Sequence, residues 1–277
     1  MDVLLLIRRL LVIAALGASM AGCTGVFFQP YRTLVRTPDD IGLAYEDVRF
    51  KTADGVALHG WFLPANATAC ATVLFLHGNA ENISTHIGSV YWMPRYGFNV
   101  FLPDYRGYGA SSGTPSLPGV QADIDAAIKY VLGQSLGGAS AVYYAAYGPE
   151  RARIRALVVD SAFSSHRDIA REKLAGFWLT WPLQYPLAWT IDDDYSPLAA
   201  VPRVAPIPLL LIHGEADSIV PVHHSERLYA AAREPKEFWK IEGAGHIETL
   251  HSTTVRARLV SYLYSHACPT RPVPAVK

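Results

Sequence analysis

The sequence has no excess of either charge: 24 Lys and Arg stand against 24 Asp and Glu over 277 residues. Without a basic field nothing holds a phosphate backbone, so nucleic acid is excluded as an expected partner. Charged residues of both signs reach only 17% against 51% hydrophobic, which excludes the composition of a disordered chain. Cysteine is scarce, at three, and no repeat or low-complexity tract is visible. The N-terminal apolar run, Leu10 to Gly22, has 13 residues, short of the about 20 that cross a bilayer. What remains is a length that suits one large domain or two small ones.

The first residues read as an address. Arg8 and Arg9 precede a run of apolar and small residues, the pattern of a secretory signal. Met20-Ala21-Gly22-Cys23 then resembles the lipobox of bacterial lipoproteins, with Met20 where Leu is more usual. That resemblance implies a signal peptide over 1–22, a lipidated Cys23, and a membrane tether through its acyl chains. With Thr24 rather than Asp after the Cys, it implies the outer membrane, facing the periplasm. Cys70 and Cys268 remain; an oxidising periplasm permits one bridge, and two unpaired thiols is the preferred reading.

Past an anchor and linker at 23–44, Tyr45 to Phe50 alternates, Asp54-Gly55 signals a turn, and Val56 to Leu63 completes a hairpin. Ala71 to Leu76, Asn99 to Pro103, Ala156 to Val159 and Pro208 to Ile212 are short apolar runs without alternation, as strands buried on both faces require. Helices are expected at Leu136 to Tyr147, Ser225 to Arg233 and Thr253 to Tyr264. This alternation predicts an α/β fold with a mostly parallel sheet. Between 166 and 205 the pattern breaks into aromatics and prolines, read as a small cap; the aromatics either bind an acyl group or cover the sheet.

Gly133-Gln134-Ser135-Leu136-Gly137 matches G-x-S-x-G, in which a serine stands on a strained strand-to-helix turn. A hydroxyl becomes a nucleophile only beside a base, and the base needs an acid to orient it. Asp217 follows a strand run and His246 lies in the loop Gly243-Ala244-Gly245-His246 before the last helix, so the order Ser135, Asp217, His246 is that of a triad on this fold. Asp160, at another strand end, is the rival acid. The amides of Leu136 and Asn79, the latter in His77-Gly78-Asn79-Ala80, are the candidate oxyanion donors. His77 is expected to pin its loop through the backbone, Asp104 and Arg106 to stabilise a loop, and His223-His224 to form a solvated turn without a metal.

On these motifs, with Asp104-Tyr105-Arg106-Gly107-Tyr108-Gly109 and His213-Gly214-Glu215-Ala216-Asp217, the chain resembles the α/β-hydrolases related to Bem46, also grouped with serine aminopeptidase-like domains. The resemblance implies an α/β-hydrolase fold over 45–268 with a tail at 269–277. It also implies hydrolysis of an ester, thioester or amide in a small-molecule or acyl substrate, without metal or organic cofactor. One departure stands out. From Pro118 to Leu132 there are 15 residues, too few for a full helix, a loop and a full strand before the nucleophile. The expected repair makes Ile128 to Leu132 the strand, cuts the preceding helix to a turn or two, and leaves a sheet face partly bare. The alternative function is a non-catalytic binding protein that lost its activity with that segment.

Overall fold

The structure, a computed structural model, describes residues 28–127 and 131–274. The expected signal peptide at 1–22 and Cys23 lie outside the described residues. Eight strands form one sheet: β1 (Glu46–Lys51), β2 (Ala57–Leu63), β3 (Ala71–Leu76), β4 (Phe98–Pro103), β5 (Val131–Gln134), β6 (Leu157–Asp160), β7 (Leu209–Gly214) and β8 (Lys236–Ile241). Their order is β1-β2-β4-β3-β5-β6-β7-β8. β2 runs antiparallel to β1 and β4, and every other pairing is parallel.

The apolar runs fold as strands because helices cover both faces, leaving no polar face to alternate with. Leu157, Val158 and Val159 of β6 and the run Leu209 to Ile212 of β7 are all buried. One core cluster packs α1 (Leu117–Ala127) and α2 (Leu136–Tyr147) against the sheet. The opposite cluster packs α5 (Thr253–Ala267) on the other face. Ten of the twelve residues of α2 are buried, so it is a core helix whose apolar character extends all round. Between β6 and β7 lie α3 (His166–Ala175) and a run of short helical turns from Trp181 to Arg203, and α4 (His223–Ala231) follows β7.

In the short crossover before β5 the helix departs from the sequence expectation. The helix is not cut to a turn or two: α1 keeps 11 residues, about three turns. It is held by Arg106, whose backbone N–H and Nε both donate to Asp123, at 2.8 and 2.9 Å, while its terminal nitrogens grip Asp54. The described strand runs Val131–Gln134, so it takes in the last two residues of the expected strand, Val131 and Leu132, while Ile128 to Tyr130 lie outside the described residues. A sheet-facing hollow of about 580 Å³, walled by Phe62, Thr72, Phe101 and Ala127, opens at the end of α1 where the bare patch was expected.

The cysteines also depart from the preferred reading. Cys70, at the start of β3, and Cys268, which caps the end of α5, are joined in a disulfide with Cα atoms 5.9 Å apart. Folding the last helix onto the central sheet brings together thiols 198 residues apart, which spacing along the chain does not reveal.

Candidate active site

Ser135 stands between β5 and α2 at φ 51°, ψ −116°, a conformation that costs an L-residue energy. The turn is held from both sides. The Ser135 N–H donates to Asp160 O at 2.9 Å, and its carbonyl accepts the Ala139 N–H at 3.0 Å. The glycines of the motif serve close approach: a Cβ on Gly137 would lie 2.2 Å from Leu76 O, and one on Gly133 would lie 2.5 Å from Gly137 O. Neither backbone could yield without separating α2 from β3 and β5.

Asp217 leaves the end of β7 with its carboxylate fully buried. Oδ1 accepts the N–H groups of Ile219 and Val220 at 2.9 and 2.8 Å, and Oδ2 lies 2.7 Å from His246 Nδ1. His213, from β7, brings Nε2 within 3.3 Å of the same oxygen. Burial alone would raise the Asp217 carboxyl, but the bonds from His213, His246 and Val220 outweigh it and hold it well below the usual carboxylate range. His213 had no role in the sequence reading; only its i, i+4 spacing to Asp217 hinted at one.

Asp160 is occupied elsewhere. Gln134 Nε2, Ser161 Oγ and Thr249 Oγ1 all bond its carboxylate, at 2.8, 3.1 and 2.9 Å, and burial raises its pKa against them. It fixes the elbow from below, through its backbone carbonyl, rather than orienting His246.

Ser135, Leu136, Asn79 and His246 line one cavity of about 440 Å³ whose wall is otherwise largely apolar, with Phe163, Ile169, Ile219, Val220 and Ile247. As the first residue of α2, Leu136 has no carbonyl within the helix to receive its N–H. The Asn79 side chain is anchored: its Oδ1 accepts the Gln29 N–H at 3.1 Å and the Tyr108 hydroxyl at 3.0 Å. Gly78 adjoins the nucleophile: a Cβ there would meet the Ser135 Cβ in ordinary contact at 3.8 Å and crowd His86 Cε1 at 3.1 Å. Ile247 has φ 54°, a left-handed conformation that a β-branched residue rarely takes, and Glu81, also on the cavity wall, has φ 70°. Among the described residues, three of the four non-glycine residues with positive φ therefore line this cavity, and none but Ser135 was legible in the sequence.

His77 is buried, and its Nδ1 lies 2.7 Å from Gly78 O, so it pins the loop; burial and the neighbouring His86 push its pKa down to about 3. His223 and His224 correct the sequence reading. They open α4 rather than a solvated turn, and His224 is buried. Both Nε2 atoms lie 3.2 Å from the Glu172 carboxylate. These three could offer ligand atoms to an ion, yet each already has a partner within the trio. The cap aromatics also depart from both expected roles. None of those from Phe177 to Trp189 lines the cavity or covers the sheet, and all are more than half exposed.

Comparison with known proteins agrees with this architecture. The family model described as Serine aminopeptidase, S33 matches residues 67–191. The uncharacterized protein YfhR of Escherichia coli K12 is 38% identical over 244 residues, covering 81% of this chain and 82% of its own. The α/β hydrolase domain-containing protein WAV2 of Arabidopsis thaliana is 32% identical, covering 77% and 76%. The protein bem46 of Schizosaccharomyces pombe is 29% identical, covering 70% and 68%. Among solved structures, an esterase of Pyrococcus furiosus superposes with a TM-score of 0.71 at 22% identity, covering 87% of this chain and 98% of the esterase.

Proposed function

Because the chain belongs to the Bem46-like α/β-hydrolases, we propose that it is a serine hydrolase working by acyl transfer, with Ser135 as nucleophile, His246 as base and Asp217 as its orienting acid. The observation that carries this reading is the shared cavity: the strained Ser135 faces the same space as His246, whose other ring nitrogen is tied to a buried carboxylate. With Nδ1–H donated to Asp217, the His246 Nε2 lone pair is left to take the serine proton. Ser135 Oγ attacks the substrate carbonyl carbon, and the carbonyl oxygen takes up the negative charge. The Leu136 and Asn79 amides stabilise that oxyanion. His246 returns the proton to the leaving alcohol, thiol or amine, and water then releases the acyl group by the same steps reversed. No cofactor enters. The apolar wall favours an apolar acyl group over a charged one.

The reading also places the enzyme outside the cytoplasm, tethered by a lipidated Cys23. The Met20-Ala21-Gly22-Cys23 sequence supports this, and so does the Cys70–Cys268 bond, which an oxidising compartment sustains. A fluorophosphonate probe should label the protein and fail to label Ser135→Ala. Lack of labelling of the folded wild type would instead favour the non-catalytic reading.

A further inference from the structure

Thirteen large hydrophobic side chains are exposed among the described residues, and seven of them fall between Phe177 and Trp189. Trp178 is 78% exposed, Trp181 60% and Trp189 75%. A water-soluble surface rarely gathers apolar groups so densely without a partner. Arg171 and Arg167 lie 5.8 and 5.9 Å from the rings of Tyr185 and Trp189, so cations sit alongside the aromatic surface. Indole and phenol rings with adjacent guanidinium groups are the residue types that settle at the headgroup level of a bilayer.

Two further observations choose a lipid surface over a protein partner. The crown begins just past α3, whose Ile169 and Lys173 wall the candidate cavity, and the half-exposed Ile219 lies on the same cavity. Phe28 enters the core, and Gln29 lines the same cavity. The 27 residues ahead of Phe28 contain the apolar stretch Leu10 to Gly22. The described chain that follows this stretch thus begins beside the cavity that α3 and Ile219 also line.

We infer that the aromatic crown from Phe177 to Trp189 docks into the headgroup region of the membrane and sets the cavity mouth at the lipid surface. Its consequence for the substrate, which rests on the serine-hydrolase reading, is an acyl chain drawn from the bilayer rather than from water.

The test uses the tryptophans as depth probes. Of the six, Trp61, Trp92 and Trp239 are buried in the domain, and the first 27 residues contain none. The full-length protein is reconstituted in phosphatidylcholine vesicles whose acyl chains are brominated near the headgroup end. Quenching by on the order of half of the emission is expected, and Trp178→Phe/Trp181→Phe/Trp189→Phe should abolish it while the protein stays on the vesicles. Trp178→Glu/Trp181→Glu should release the crown, removing the quenching of Trp189. It should lower turnover of a long-chain ester held in the vesicles at least tenfold and leave a soluble short-chain ester unaffected. Unquenched wild-type emission would overturn the inference, as would a dimer in which the same glutamates dissociate two copies. Because quenching does not need Ser135, Ser135→Ala must show it too. Docking without hydrolysis of either ester would sink the serine-hydrolase reading and leave the docking intact.

Discussion

Asp217→Asn tests the assigned triad at its least visible member. Three donors converge on the carboxylate, Ile219 N and Val220 N on Oδ1 and His246 Nδ1 on Oδ2, while His213 Nε2, bonded to Val220 O at 2.7 Å, stands 3.3 Å from Oδ2. An asparagine supplies one acceptor and one NH2 group. Its oxygen must keep the two backbone donors, because buried N–H groups left alone cost about 1–3 kcal/mol each. The NH2 group then faces His246, whose Nδ1 must accept instead of donate. The ring proton moves to Nε2, the atom that has to receive the serine proton. Undoing that tautomer in the transition state, with no carboxylate to stabilise the imidazolium, costs on the order of 5 kcal/mol, about four powers of ten in turnover. Side-chain volume is unchanged, so the variant should fold. The assay is kcat on a p-nitrophenyl ester, normalised to folded protein measured by circular dichroism. Asp160→Asn is the internal control: its partners are Gln134, Ser161 and Thr249, and the loss should stay within about tenfold on the folded fraction. A larger loss in Asp160→Asn than in Asp217→Asn would refute the assignment.

Two further outcomes concern stability. Joining residues 198 apart removes on the order of 5 kcal/mol of chain entropy from the unfolded state. Cys70→Ser/Cys268→Ser should therefore lower the urea midpoint markedly under oxidising conditions and equal the wild type under reducing ones; identical midpoints in both would mean that the thiols do not pair. Burial pushes His77 down to about 3 and His166 to about 4. The unfolded chain takes up these protons below about pH 6.5 while the native state stays neutral, so their contribution falls as pH drops from about 6.5 toward 4. The loss is about 1.4 kcal/mol per pH unit for each ring. Unfolding free energies measured between pH 7 and 5 should show this slope, shallower by one proton in His166→Asn; an unchanged slope would exclude His166 as a source.

The sequence made the sheet readable wherever strands are buried on both faces. Ala71 to Leu76 and Leu136 to Tyr147 fall on the observed bounds of β3 and α2 because composition there has one purpose. β8 escaped notice for the opposite reason. As the edge strand it pairs, among the described residues, only with β7, and Lys236-Glu237-Phe238-Trp239-Lys240-Ile241 carries the charges that keep such an edge from pairing further. Ser135, Asp217 and His246 stood out because the nucleophile turn and strand ends impose local signatures. Glu172 beside His224, the left-handed Ile247 and the outward crown have none: each depends on what the fold sets next to it or leaves uncovered.

The backbone at Ser135 also has a bearing on what selection can retain. Glycine would occupy φ 51°, ψ −116° without the crowding a Cβ brings, so relieving it would be worth about 1–2 kcal/mol. Position 135 is thus one where stability and the hydroxyl pull apart. A lineage released from any demand on that oxygen would gain by drifting to glycine there, and every generation that keeps serine forgoes that gain.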